Sequence, residues 1–210
     1  MGAQIKVIVF DLGRVLVDFD HRIAAQKIST LTHKTPKEIF DLFFDSPLTQ
    51  FFEEGKISPE DFFANVRRML GLNIGFAEFL PIWDQIFFLS AQNKAVYALG
   101  KSLKKRHRIA LLSNINVLHF NYLKENFPIF DIFHDIFASC EMGCIKPNPE
   151  IYRKLIFALR VTPEEVFYTD DRPELIEQAN TFGIHGFVYK TIDQLKLDLA
   201  SCGVECDENS

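Results

Sequence analysis

The chain has 210 residues, of which 48% are hydrophobic and 24% are charged, and it contains only 10 glycines and 9 prolines. This length is typical of one domain, or of one domain that carries an insertion, and the composition excludes collagen-like, low-complexity and disordered chains. The formal net charge of −5 provides no positive field that would attract nucleic acid or an anionic membrane, so neither partner is expected.

The first predicted element is a β-strand over residues 5–10. Its apolar run is continuous rather than alternating, which is typical of a strand buried on both faces of a parallel sheet. Segment 18–90 then shows no comparable strand run but has helix-start patterns at 35–38 and 58–61. Eleven of the 22 phenylalanines lie between Phe40 and Phe88 in this segment. They suit the core of a small helical bundle, and one or two of them would line a lid over an active site.

Short apolar strands and helical segments alternate through the rest of the chain. Strands are predicted over 108–112, 135–138, 165–169 and 184–189, and helices over 91–105, 116–126, 149–160 and 173–182. Alternating elements of these lengths predict an α/β fold with a doubly wound parallel sheet. The predicted division is a core made of residues 1–17 and 91–210, with a helical module over 18–90 inserted after the first strand.

Polar residues follow the ends of several predicted strands. In open parallel sheets, ligands bind beyond the carboxyl ends of the strands, at the point where the strand order reverses. The residues expected to meet at this edge are Asp11, Ser113, Asn114, Lys146, Asp170 and Asp171. The sequence therefore brings together three carboxylates, a hydroxyl with adjacent backbone amides, and one lysine.

These groups indicate a site that handles phosphate. Three neighbouring carboxylates would raise one another's pKa unless a hard cation neutralised them, and Mg²⁺ prefers oxygen ligands of this kind. With Mg²⁺ bound, Ser113 and Lys146 would supply hydrogen-bond donors for an anion, and together with the cation they would hold a phosphoryl group. One of the carboxylates would remain free to attack that group.

Four segments resemble the four motifs of the haloacid dehalogenase superfamily, namely 7–13, 111–114, 146–152 and 167–171. They occur in the order of the family's motifs, and together they extend over nearly the whole chain. The resemblance implies a Rossmann-like, doubly wound core with an α-helical cap inserted after the first strand.

The resemblance also implies a role for each matching residue at the catalytic centre. Asp11 matches the nucleophile that becomes phosphorylated. Ser113, with the backbone amide of Asn114, matches the phosphate-binding motif. Lys146 matches the lysine that balances the charges of nucleophile and phosphate.

The metal site follows from the same resemblance. Asp170 and Asp171 match the acidic pair that holds Mg²⁺ together with Asp11 and a backbone carbonyl, which in this chain belongs to Gly13. Phosphatases of the superfamily usually carry a second aspartate at the position of Gly13, where it acts as a general acid. A positioned general acid contributes typically 10²–10⁴-fold to the rate, so its absence favours leaving groups that need little protonation, such as sugar 1-phosphates, acyl phosphates and aryl phosphates.

The segment 11–18 is similar to a branch of the superfamily that keeps glycine at this position and includes phosphatases acting on glucose 1-phosphate. A substitute acid would come from Asp18, Asp20 or His21, or water would serve instead. The alternative is that these residues form a solvated hinge. Arg14, Asp18 and His21 are candidate contacts between the cap and the substrate.

The predicted function is Mg²⁺-dependent hydrolysis of a small phosphorylated metabolite through an aspartyl-phosphate, with a sugar phosphate such as a hexose 1-phosphate favoured. Two alternatives remain open. A hydrolytic 2-haloacid dehalogenase also uses an aspartate nucleophile but needs no metal, which would leave Asp170 and Asp171 unexplained. A non-catalytic phosphate-binding protein would account for Gly13 but not for an otherwise complete set of motifs.

Apolar runs such as 7–10 and 86–89 are far shorter than the roughly 20 residues of a membrane-spanning helix. Asp11 directly follows the first apolar run, so no secretion signal is expected and a cytoplasmic protein is predicted. Free thiols are then expected at Cys140, Cys144, Cys202 and Cys206, whose Cys-x-x-x-Cys spacing leaves a structural zinc site as the alternative.

Overall fold

The computed structural model describes residues 4–43 and 46–206. The strands within these ranges are β1 (Val7–Phe10), β2 (Asp18–Phe19), β3 (Phe87–Phe88), β4 (Arg108–Ser113), β5 (Asp135–Ala138), β6 (Val166–Asp170) and β7 (His185–Val188). Five of them form a parallel sheet in the order β5-β4-β1-β6-β7, and β2 pairs with β3 in a separate two-stranded sheet.

The helices of the described residues flank this sheet or lie between its first two strands in sequence. They are α1 (His21–Ser29), α2 (Pro36–Phe43), α3 (Pro47–Glu53), α4 (Pro59–Leu70), α5 (Phe76–Asp84), α6 (Ala91–Leu103), α7 (Val117–Asn126), α8 (Ser139–Met142), α9 (Pro149–Leu159), α10 (Pro173–Asn180) and α11 (Ile192–Ser201). Within the described ranges, no helix is long and apolar enough to cross a membrane.

Strand β1 is central to the sheet and buried along its whole length. Ile8 and Phe10 pack into one apolar cluster of the core, whereas Val7 and Val9 pack into a second one. Helices on both faces of the sheet therefore explain why this strand has a continuous apolar run. The predicted α/β fold with a doubly wound parallel sheet is confirmed, and each predicted strand overlaps an observed one.

Helices α1 to α5 share an apolar core of their own. Phe52 and Phe62 stack with ring centroids 4.3 Å apart, and Phe62 lies 4.9 Å from the ring of Trp83. Phe79 packs against Trp83 in the same cluster. Buried aromatic side chains therefore form a large part of the core that these helices share.

Some features of the fold were not predicted from the sequence, and helix α11 is one of them. Strands β2 and β3 form an antiparallel pair, with Asp18 opposite Phe88, and this pair frames the helical segment at both of its ends. The chain beyond α11 also packs against the core, since Val204 is buried in it. Residues 207–210 lie outside the described ranges.

Candidate active site

The order of the strands brings the predicted site residues to one edge of the sheet. β1 lies between β4 and β6, and its last residue, Phe10, is paired with Leu111 and with Thr169. Asp11 therefore lies between the carboxyl end of β4, where Ser113 is located, and that of β6, where Asp170 is located. This is the point where the strand order reverses, and such points form ligand-binding crevices in open α/β sheets.

Lys146 connects these strand ends. It lies in the loop before α9, and its side chain is almost completely buried. Its ammonium group donates hydrogen bonds to Asp11 Oδ1 and Asp170 Oδ2, each at 2.6 Å. The backbone carbonyl of Leu112 and the hydroxyl of Tyr168, each at 3.0 Å, share its third N–H. Burial alone would lower the pKa of Lys146, but the two carboxylates raise it above its ordinary value, so the lysine is charged.

The carboxylates of Asp11, Asp170 and Asp171 form a compact acidic cluster. Each offers an oxygen atom within 4.8 Å of the others. Burial raises the pKa of Asp11 to about 7, and the charges of Asp170 and Asp171 add to this effect while Lys146 opposes it. Burial and the charge of Asp170 likewise raise the pKa of Asp171 to about 6.

Asp170 behaves differently from its two neighbours. Burial would raise its pKa, but the Lys146 ammonium, the hydroxyl of Tyr168 and the backbone N–H of Arg172 hold the pKa below the ordinary value. Tyr168 was not predicted as part of the site, because in the sequence it reads as one more apolar strand residue. The three carboxylates of the acidic cluster, which belong to Asp11, Asp170 and Asp171, are suited to bind a hard divalent cation.

Asn114 and Ser113 perform separate tasks at the end of β4. The Asn114 side chain accepts a hydrogen bond from the backbone N–H of Lys146 at 2.8 Å and donates one to the carbonyl of the same residue at 2.9 Å. Asn114 thus holds the loop that carries the lysine. The hydroxyl of Ser113 makes no hydrogen bond to any other residue of the described ranges and lines the same cavity as Asp11, so it is available to a ligand.

The site opens into a cavity of about 620 Å³. Ten of the candidate residues named from the sequence line it, namely Asp11, Gly13, Arg14, Asp20, His21, Ser113, Asn114, Lys146, Asp170 and Asp171. The opposite wall comes from the inserted helices and includes Phe40, Thr49, Gln50, Glu53 and Trp83. The cavity therefore lies between the sheet edge and the helical segment.

Asp18 is a candidate that the structure does not bring to the cavity lining. It lies in β2 opposite Phe88, and its carboxylate is 3.9 Å from the Arg14 guanidinium. Asp20 does line the cavity, but it caps α1 and accepts hydrogen bonds from the Arg22 side chain at 2.8–3.1 Å, which holds its pKa below the ordinary value. Burial lowers the pKa of His21 to about 3, so this imidazole is neutral at physiological pH.

A second histidine near the cavity was not predicted. His119 of α7 is buried, and its Nε2–H donates a hydrogen bond to the Trp83 carbonyl at 3.1 Å. Its Nδ1 accepts one from the Asn116 amide at 3.1 Å, and its ring stacks on Trp83 with centroids 5.1 Å apart. Burial lowers the pKa of His119 to about 4. No local pattern in the sequence signals this contact, because Trp83 and His119 lie in different elements.

A doubly wound α/β sheet with a carboxylate cluster and a buried lysine at its switch point is typical of proteins that bind a divalent cation and a phosphoryl group at that edge. The chain belongs to the haloacid dehalogenase-like hydrolase family, whose model matches residues 5–183.

Several relatives and solved structures are similar to most of the chain. It is 30% identical over 190 residues to D-ribitol-5-phosphate phosphatase of Bacteroides thetaiotaomicron, covering 88% of this chain and 91% of that protein. It is 25% identical over 193 residues to a sesquiterpene phosphatase of Aspergillus oryzae, covering 89% and 90%. A HAD family enzyme of B. thetaiotaomicron, crystallised with magnesium and inorganic phosphate, is 27% identical with a TM-score of 0.79, covering 90% of this chain and 96% of that chain.

Proposed function

We propose that the protein is a Mg²⁺-dependent phosphatase that hydrolyses a small phosphorylated metabolite through a phosphorylated Asp11. The observation that carries the proposal is the convergence of an acidic cluster, a buried lysine and an available hydroxyl in one cavity. The relatives named as phosphatases support it, as does the presence of magnesium and phosphate in the similar solved structure.

The metal would be held by Asp11, Asp170 and Asp171, with the backbone carbonyl of Gly13 as a further ligand. The fit rests on the donor set, because three carboxylates whose oxygens lie within 4.8 Å of one another match the preference of Mg²⁺ for oxygen ligands. When bound, Mg²⁺ would offset the negative charge of a phosphoryl group next to these carboxylates.

The residues around the metal site would bind the rest of the phosphoryl group. The Ser113 hydroxyl and the backbone amide of Asn114 would donate hydrogen bonds to its oxygens. Lys146 would hold Asp11 in position through its 2.6 Å hydrogen bond and would balance the charge that accumulates when phosphate approaches a carboxylate.

The reaction would proceed in two displacements at phosphorus. First, a carboxylate oxygen of Asp11 attacks the phosphorus atom, and the bond from phosphorus to the leaving oxygen breaks with its electron pair going to that oxygen. Then a water oxygen attacks the same phosphorus and gives one proton to solvent, while the bond from phosphorus to the Asp11 oxygen breaks with its electron pair returning to that oxygen. Inorganic phosphate is released, the carboxylate of Asp11 is restored, and the leaving oxygen takes up a proton from solvent. This is nucleophilic catalysis, in which one difficult step is replaced by two easier ones.

The groups around the leaving oxygen favour an activated substrate. Asp20 is ionised and hydrogen-bonded to Arg22, and His21 is neutral, so neither is suited to donate a proton at neutral pH. A sugar phosphate such as a hexose 1-phosphate, whose leaving group needs little protonation, is the substrate class we propose. In this scheme the core (1–17 and 91–210) supplies the reacting groups and the cap (18–90) contacts the leaving group.

The test is release of p-nitrophenol from p-nitrophenyl phosphate, with and without Mg²⁺. Asp11→Asn is expected to lower kcat by about three orders of magnitude or more, the scale typical of the loss of a covalent nucleophile. Asp193→Asn, which changes an exposed carboxylate in α11, is the matched control and should retain the parental rate.

Two results would overturn the proposal. Equal rates for Asp11→Asn and the parent protein would exclude Asp11 as the nucleophile. Release of chloride from 2-chloropropionate in the absence of Mg²⁺, without phosphate release from any ester, would identify a dehalogenase instead.

A further inference from the structure

Arg14 is a cationic residue in the lining of the active-site cavity. It follows Gly13 directly and lines the cavity, and its guanidinium lies 4.4 Å from the centroid of the Phe19 ring. About 45% of its side chain is exposed, and the residue is part of the cavity lining. Arg14 also lies close enough to Asp20 and His21 to affect the pKa of both, which places it on the side of the cavity toward the cap.

The other cationic side chains of the cavity are engaged by carboxylates. Lys146 contacts Asp11 and Asp170 at 2.6 Å. Arg22 Nη2 lies 2.8 Å from Asp20, and Arg172 Nη2 lies 2.7 Å from Glu174, each within hydrogen-bond distance.

Arg14 differs from these cations. Its nearest carboxylate, Asp18, is 3.9 Å away, and its guanidinium makes no hydrogen bond to any other residue of 4–43 and 46–206. Its N–H donors are therefore available to a ligand, while the Phe19 ring holds the guanidinium plane in place.

The backbone conformation of Arg14 also supports a ligand-binding role for its side chain. Arg14 has φ of 60°, a left-handed conformation that glycine adopts readily and that other residues rarely adopt. The backbone alone would therefore favour glycine at this position. An arginine that occupies it next to the cavity is best explained by what its side chain binds.

We propose that Arg14 binds a carboxylate on the leaving group, so that the protein selects sugar phosphates that carry a second anionic group. This inference rests on the proposed function and narrows its substrate class. A planar guanidinium matches a carboxylate with two parallel hydrogen bonds, which is a stronger and more specific contact than any it makes with a sugar hydroxyl.

A matched pair of ligands tests the inference. Glucuronic acid 1-phosphate and glucose 1-phosphate differ only in a carboxylate in place of a CH₂OH group. Binding of each is measured by calorimetry with saturating Mg²⁺ in the Asp11→Asn background, where turnover does not interfere. We expect the glucuronic acid ester to bind about tenfold more tightly or better, the scale of one charge-assisted contact.

Variants of Arg14 assign this preference to the side chain. Arg14→Gln and Arg14→Gly should bring the ratio of the two Kd values to about one, and Arg14→Lys should retain part of the preference. Arg160→Gln is the matched control, since Arg160 is the other non-glycine residue with a positive φ in the described ranges (58°) and lies at the end of α9, outside the cavity lining. It should keep the parental ratio.

The inference is overturned if the Asp11→Asn protein with Arg14 intact binds the two esters equally or prefers glucose 1-phosphate, or if it binds neither ester. It is also overturned if Arg14→Gln and Arg14→Gly both keep the preference for the glucuronic acid ester. Failure of the proposed function appears separately, as absence of Mg²⁺-dependent p-nitrophenyl phosphate hydrolysis that requires Asp11.

Discussion

The space beside Gly13 is filled by the ring of Phe19. A Cβ atom at position 13 would lie 2.9 Å from Cε1 of that ring, well inside the normal contact distance of two carbon atoms. The same ring contacts the Arg14 guanidinium, and its centroid lies 4.8 Å from that of His21 and 6.2 Å from that of Phe87. An acid at position 13 therefore requires the ring to move.

A double variant tests whether a proton donor can be introduced here. Gly13→Asp combined with Phe19→Ala removes the steric conflict and places a carboxyl group two residues after Asp11. Glycerol 3-phosphate, whose leaving group needs a proton, should then gain in kcat/KM relative to p-nitrophenyl phosphate by about tenfold or more over Phe19→Ala alone. Gly13→Asp with the ring in place should gain less. An unchanged ratio in the double variant would argue against a missing acid as the limiting feature.

Asp84 is a buried carboxylate that the proposed chemistry does not use. It is the last residue of α5, where the helix dipole disfavours a negative charge, and its Oδ1 has no hydrogen-bond partner in the described part of the chain. Burial, with a contribution from Glu125, raises its pKa to about 7. Its ionised form is therefore unfavourable in the folded protein.

Asp84→Asn is accordingly expected to stabilise the protein in a pH-dependent way. Because the pKa in the folded state lies above the ordinary value of 3.8, ionisation of Asp84 reduces stability progressively as pH rises from about 4 to about 7. We expect a gain of about 1–2 kcal/mol in the free energy of unfolding at pH 8 and little change at pH 4. Urea denaturation at both values measures it. The same gain at pH 4 would mean that ionisation is not the cause.

Two contacts between elements hold the inserted helices over the sheet edge. At one of them, His119 of α7 donates to the Trp83 carbonyl of α5. At the other, the Ser139 hydroxyl at the start of α8 donates to the Glu53 carbonyl of α3 at 2.6 Å. Gly55, just after α3, approaches the backbone of α8 so closely that a Cβ atom there would lie 2.1 Å from the Cys140 carbonyl oxygen.

Gly55→Ala should therefore disturb the packing of the inserted helices against α8. The added methyl group would meet a backbone carbonyl, which cannot rotate away as a side chain can. The alanine would also have to adopt the φ of 66° that Gly55 has, which is unfavourable for a residue with a side chain. Gly71→Ala is the matched control, because Gly71 has φ of 64° and nothing lies within 4 Å of its Cβ position. We expect about 1 kcal/mol of destabilisation for Gly71→Ala and at least 1 kcal/mol more for Gly55→Ala, measured by urea denaturation. Equal losses would exclude the close contact as important.

The sequence predicts elements whose pattern is local. The continuous run of β1 reveals a strand buried on both faces, and the strand-end rule places Asp11, Ser113 and Asp170 together before any coordinates are known. The pair β2 and β3 has only two residues in each strand, too few for any periodicity. Helix α11 was not predicted, although its sequence carries a helix signal. Thr191 caps the helix, and Leu195 and Leu199 are spaced by one helical turn and buried.

The contacts that were not predicted join parts of the chain distant in sequence. Tyr168 reads as a strand residue, and its hydroxyl acquires a role only because Lys146 arrives from a separate loop. The stacking of His119 on Trp83 depends in the same way on how the inserted helices sit on the sheet. Such contacts are set by tertiary packing, which residue spacing alone does not encode.

At the scale of the whole molecule, the sheet concentrates negative charge at one of its edges. Asp11 and Asp170 are buried and Asp171 is half-buried, while Lys146 supplies the cation that contacts two of them. Folding therefore brings like charges together at the ends of two adjacent strands. The stability of the entire fold should depend on what neutralises this cluster.

Mg²⁺ is expected to raise the melting temperature of the protein, because an ion that binds the folded state alone stabilises it by mass action. At about 100 times its Kd, the ion would contribute about 2.7 kcal/mol, or about 5 °C or more for a chain of this size. The shift should be larger at pH 7.5 than at pH 5.5, since protons compete with the metal for carboxylates whose pKa is raised, as for Asp11 and Asp171. Asp171→Asn should reduce the shift, and Asp193→Asn should not. Differential scanning fluorimetry in Mg²⁺ or EDTA measures it, and an equal shift in parent and Asp171→Asn would place the bound ion elsewhere.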